Sequence, residues 1–156
     1  MPPASISEDR KQAVINLLDH ISTSNGYNNN ISSKTEFWRP INNIGSDQIP
    51  ALYITNGAEE GNLEKNQKFS ARCLVDEQFD IEIIGIVEAQ VESDIPERLV
   101  NYLLEDCKRA ISRDMLLGDL ADAIVEWKVR KPEPWKLKGK RYSFQLTVTY
   151  QARASY

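Results

Sequence analysis

DIPERLVNYLLEDCKRAIS, residues Asp94 to Ser112, decides the fold, and the segments on either side are read around it. Leu99, Val100, Leu103, Leu104, Cys107, Ala110 and Ile111 recur at intervals of three and four, which on a helix of about 100° per residue makes one apolar stripe. Glu97, Arg98, Asn101, Glu105, Lys108 and Arg109 fall on the other side. Asp94 is placed to accept the free amides of the first turn, Pro96 is tolerated there, and Glu97 suits the positive end of the dipole. A helix apolar on one side needs a surface to cover. The flanking segments alternate with period two, so that surface is expected to be a sheet.

Working outward, Ser7 is expected to open a first helix, with Glu8 and Asp9 in its first turn and Val14, Leu17, Leu18 and Ile21 on its stripe. Gly26 ends it, and Tyr27 to Ser33 is an Asn-rich loop. Lys34 to Gln48 reads as irregular but packed, since Phe37, Trp38, Ile41 and Ile44 are apolar while Pro40 and Gly45 interrupt. Ile49 to Thr55 is a strand ended by the Asn56-Gly57 turn signal, and Ala58 to Gln67 a solvated acidic loop. Phe69, Ala71, Cys73 and Val75 alternate on a second strand. Asp76 to Gln78 is expected to turn it into a third that begins at Phe79, Ile81 and Ile83. At Ile84-Gly85-Ile86 the alternation shifts, which suits either a bulge at Gly85 or a strand covered on both faces, central in either case.

After the long helix, Met115 to Leu120, with Gly118, leads back to the sheet. Ala123, Val125, Trp127 and Val129 are expected on one face of a fourth strand, with Ile124, Glu126, Lys128 and Arg130 on the other. In the last strand Tyr142, Phe144, Leu146, Val148, Tyr150 and Ala152 point one way, opposite Ser143, Gln145, Thr147, Thr149, Gln151 and Arg153. The expected fold is α+β: a mostly antiparallel sheet of four to five strands with two main helices packed on it. At 156 residues and 41% hydrophobic, one domain over 1–156 suffices, with a short loose arm at 1–5. Two cysteines, Cys73 and Cys107, make no disulfide framework, so a reducing compartment is expected. No basic segment followed by an apolar core opens the chain, and no apolar run approaches the length of a membrane span, so a protein that is neither exported nor membrane-bound is expected.

Chemistry leaves few marks. The single histidine, His20, sits beside Asp19 on the first helix, where adjacent side chains diverge, so a structural histidine is expected. The sequence has no Cys/His metal spacing, no glycine-rich phosphate loop and no nucleophile elbow. Glu59, Glu60 and Glu64 read as a solvated face. No catalytic, cofactor or metal residue is nominated, and no enzyme is expected.

Charge is unevenly spread. From Lys128 to Arg141 seven cations face one anion, Glu133, so that this stretch carries +6 and the remainder −10 of a net −4. Pro132-Glu133-Pro134-Trp135 cannot continue a strand, so 128–141 reads as an extended basic hairpin. One possibility is a solvated hairpin with Trp135 folded back on the sheet; the other is a docking arm for an acidic subunit or a DNA backbone. In the second, the candidate interface residues are Arg130, Lys131, Trp135, Lys136, Lys138, Lys140 and Arg141.

The order of segments resembles the tail terminator, or tail completion, proteins of long-tailed bacteriophages. The resemblance runs through a helix closing at Gly26-Tyr27, the Ile49-Pro50-Ala51-Leu52-Tyr53-Ile54 strand and a strand from Phe79 to Val91. It continues through Asp106-Cys107-Lys108-Arg109-Ala110-Ile111 at the helix end, the Leu116-Leu117-Gly118 connection and the strand from Tyr142 to Tyr150. It implies a structural virion protein, made in the host bacterial cytoplasm, that forms a homo-hexameric ring at the head-tail junction. That ring would cap the tail tube, end elongation and join the tail to a neck or connector protein on the head side. It would also meet the sheath if the tail contracts. DNA would pass through it without sequence-specific binding, and no membrane is involved. Another neck component, such as a head-closure or connector subunit, is the alternative; a nucleic-acid-binding module fits less well with a net charge of −4.

Overall fold

The computed structural model describes residues 5–36, 43–62, 74–131 and 140–155. The arm at 1–4, the apolar residues Phe37, Trp38 and Ile41, and most of the expected Phe69 to Val75 strand lie outside the described residues. Helix α1 spans Ile6–Leu18, and its cap is Ser5, whose Oγ accepts the Glu8 amide at 3.3 Å. It stops at Leu18, well short of Gly26. Gly26 instead closes a 3-10 turn over Thr23–Asn25 with φ +84°, where a residue without a Cβ avoids the left-handed penalty.

Among the described residues five strands follow: β1 (Ser33–Thr35), β2 (Ala51–Asn62), β3 (Leu74–Glu88), then, after helix α2 (Pro96–Ile111), β4 (Ala123–Arg130) and β5 (Arg141–Ser155). Their order in the sheet is β1-β2-β3-β5-β4, antiparallel throughout except for the β1-β2 pair. The α+β expectation therefore holds, with a short parallel strand where the expected Asn-rich loop gives way to the segment expected to be irregular but packed.

Two turn signals are overridden. Asn56-Gly57 does not end β2, which continues to Asn62 through a register shift between Asn56 and Glu59. Asp76 to Gln78 is not a turn either: Glu77 pairs with Gly61 on one side and Ala152 on the other, inside one continuous β3. Pairing with β3 carries β2 past Asn56-Gly57, while β2 and β5 hold Asp76 to Gln78 from both sides, and in each case ladder bonds outweigh local turn preference.

Both helices lie on one face of the sheet. Leu52 and Ile54 of β2, Phe79, Ile81 and Ile83 of β3, and the even-numbered residues from Phe144 to Ala152 of β5 point into the core they share. Val14 and Leu18 of α1 pack into it, as do Val100, Leu103, Leu104, Cys107, Ala110 and Ile111 of α2, while Leu99 is half-buried. Asp94 does not cap α2. Ile95 holds that position without a side-chain bond, and the Asp94 carboxylate accepts the Gln90 and Val91 amides at 2.6 and 3.1 Å, fixing the loop ahead of the helix.

At Gly85 there is no bulge; a Cβ there would run into the Phe144 ring and crowd Leu103. The broken alternation reports cover on both faces, because Ile86 packs against Ile44, Ile49 and Ala51 in a small second cluster beneath the sheet. The packed character expected of Ile44 is thus present.

Asp106 is fully buried on α2, outside the expected stripe. Its carboxylate accepts the Asn28 amide at 3.0 Å and Asn29 Nδ2 at 2.9 Å, which stitches the loop after α1 to α2. Cys107 beside it is 0% exposed, and burial, with the Asp106 charge second, pushes its thiol well up. Native protein at pH 8 should therefore leave Cys107 unalkylated, and denaturant should release it; peptide mass spectrometry after iodoacetamide checks this. Rapid native labelling would mean that α2 does not seat on the sheet.

Candidate assembly interface

The basic candidates gather around the β4-β5 pair. β4 joins the sheet because it alternates, but its register slips between Ile124 and Glu126. This corrects the expected faces: Ile124, Trp127 and Val129 share the helix side, opposite Tyr150, Val148 and Leu146, while Val125 sits in the bulge and is 50% exposed. Glu126, Lys128 and Arg130 point to the other side. Trp127 and Val129 remain 39% exposed each, since the edge of the sheet gives them cover on one flank only.

α2 supplies that flank. Lys108 Nζ stands 5.8 Å over the Trp127 ring, and Lys131 Nζ donates to Asn101 Oδ1 at 2.6 Å. Lys128 meets Glu126 at 3.9 Å with both side chains more than half exposed, a contact worth little in water. Arg130 is exposed and, among the described residues, has no ion-pair partner.

Arg130 and Lys131, at the end of β4, and Lys140 and Arg141, at the start of β5, lie toward the same end of the sheet, although Arg130 pairs with Gln145, four residues along β5 from Arg141. They are not alike. The Lys140 carbonyl accepts the Ala89 amide at 2.8 Å while its side chain is exposed. Arg141 lies opposite Glu88, with Nε 3.9 Å from a carboxylate whose other oxygen accepts Ser46 Oγ at 3.2 Å. It serves the packing beneath the sheet. Trp135, Lys136 and Lys138 lie outside the described residues.

Beyond the small cluster around Ile86, the face away from the helices is polar. Thr149 Oγ1 donates to Asp80 at 2.6 Å, Arg153 pairs with Asp76 at 2.9 Å, and Glu82 and Gln145 fill the rows between. Its charge is graded: acidic side chains on β3, cations at the β4 border.

A further cationic group had no sequence nomination. Lys108, Arg109 and Arg113, with Asn25, Tyr27 and Ser112, line an open hollow of about 420 Å³. Arg109 stacks 4.6 Å over the Tyr27 ring and donates to the Gly26 carbonyl at 3.1 Å. The signal was present in the Gly26-Tyr27 and Lys108-Arg109 pairs, but eighty residues separate them in the chain. His20 is exposed on the turn after α1.

Among the described residues no three His, Cys, Asp or Glu side chains converge as metal ligands would, and no helix is long and apolar enough to cross a membrane. The fold is α+β, with charged, partly apolar borders around a packed centre. The chain matches no protein-family model and no curated protein.

Proposed function

We propose that the protein is a structural subunit of a bacteriophage tail, forming a homo-hexameric ring that caps the tail tube, ends its elongation and joins it to the neck. The observation that carries this reading is the order of segments. The Ile49 to Ile54 strand, the long strand through Phe79, the amphipathic helix, the Leu116-Leu117-Gly118 connection and the Tyr142 to Tyr150 strand are stretches on which the resemblance rests; the first helix, taken there to close at Gly26-Tyr27, stops instead at Leu18. Each belongs to the single packed unit of two helices on one sheet. Leu117, Gly118 and Asp119 take φ values of 49, 60 and 75°, and Asp114 accepts the Leu116 and Gly118 amides, so the connection is a specific turn rather than a slack loop.

A role in assembly rather than catalysis suits a chain whose unusual features are at its borders. The basic end of the β4-β5 pair is the candidate contact with the next subunit or with the tube, and in this reading DNA crosses the ring without being read. The protein belongs at the head-tail junction of the virion after synthesis in the bacterial cytoplasm. Light scattering on the purified chain, alone and with tail-tube protein, tests the proposal. A species of about six chains, free or formed on the tube, is expected. A single-chain mass of 17.8 kDa under both conditions would overturn it.

A further inference from the structure

The sheet ends in two borders of opposite character. Among the described residues β4 is paired on one side only, by β5, and its other side runs bare for the length of eight residues, with Val125, Trp127 and Val129 all partly exposed. At the other end β1 covers β2 only at Ala51, Leu52 and Tyr53. Among the described residues no strand lies beside Ile54 to Asn62, so nine residues of β2 are bare as well. Unpaired strand edges are templates for another chain.

Their charges are complementary. Along β4 and the next residue, Lys128, Arg130 and Lys131 outweigh Glu126, giving +2, whereas Ile54 to Asn62 carries Glu59 and Glu60, giving −2. Two β4 edges meeting each other would bring like charge together, while a β4 edge meeting a β2 edge joins opposites. Strand direction agrees. β2, β3, β5 and β4 alternate in direction across the sheet, so a second copy in the same orientation offers its β2 antiparallel to β4. That operation keeps the helices of both copies on the same side and leaves one bare edge at each end for the next copy.

We infer that β4 of one copy pairs antiparallel with Ile54 to Asn62 of the next, so that the subunits of the assembly share one continuous sheet. The inference rests on the ring reading and names its contact. Each copy uses both edges once, which is the heterologous contact that closes into a ring. The bulges at Ile124/Glu126 and Asn56/Glu59 break the regularity of both edges and disfavour indiscriminate pairing.

Charge exchange tests it with the full chain, under whichever condition the unsubstituted protein assembles. Lys128→Glu with Arg130→Glu in one variant, and Glu59→Lys with Glu60→Lys in another, should each lose the assembled species while circular dichroism stays unchanged. An equal mixture of the two should restore it, because each junction then joins opposite charges again. A single chain carrying all four changes should also assemble, which guards against loss by misfolding. Assembly of both variants alone, or failure of the mixture and of the fourfold variant, overturns the strand contact and leaves the ring reading standing. Failure of the unsubstituted chain to assemble, alone or on tail-tube protein, overturns the ring reading and this contact with it.

Discussion

Leu103→Ala is expected to lower the stability of the protein by about 3 kcal/mol, within the range for emptying a fully buried leucine site. Leu103 is 0% exposed, and its Cδ2 lies where a Cβ on Gly85 would come within 3.1 Å, with the Phe144 ring crowding the same glycine. A floor without a side chain cannot swing in to fill the space, so the cavity persists. Urea denaturation followed by circular dichroism measures the loss as a lower midpoint at unchanged slope. A loss under about 1 kcal/mol would contradict the seating of α2 on β3 and β5. Tyr102→Ala, one position along but exposed, is the control and should cost far less.

Arg10→Ala should be comparably damaging for a different reason, about 3 kcal/mol. Arginine is rarely buried without a partner, and Arg10 is 2% exposed on α1. Its Nη1 donates to Glu77 at 2.8 Å, and the guanidinium lies 4.1 Å over the Phe79 ring, which itself stacks on Tyr150 at 5.2 Å. Truncation removes the counter-charge from Glu77, opens space above Phe79 and withdraws the cation from the ring face. Glu77→Gln in the same chain should recover part of the loss, so the double variant costs less than the two single losses together; strict additivity would mean that the pair is not coupled.

The parts of the fold legible in the sequence are those where local pattern and tertiary cover agree. The stripe from Leu99 to Ile111 and the alternation from Tyr142 to Ala152 each needed only one face to be covered, and the sheet and helices cover it. Glu77 shows why other parts were not legible. Asp76 to Gln78 has the composition of a turn, yet long-range partners on both sides and the Arg10 charge make Glu77 a strand residue. Likewise Ser33 to Thr35 has no apolar run to announce a strand, because its place depends on β2 beside it. Of the basic candidates, the sequence showed the cluster but not its division of labour. That Arg141 meets Glu88 while Arg130 faces water follows from strand register, which periodicity alone does not set. The slip at Val125 moved Ile124 to the other face for the same reason.

The last strand in chain order, β5, is also the one placed between β3 and β4, with a ladder on each side. During synthesis β3 and its apolar row from Phe79 to Ile83 must wait for a partner that emerges more than fifty residues later, so most of the sheet zips up in one late, non-local step. A chain cut before Arg141 would not be a slightly shortened protein: it would hold β4 with nothing to pair with and β3 with one side open. Nonsense mutations far along the coding sequence should therefore be as damaging as early ones, and their products should appear in the insoluble fraction.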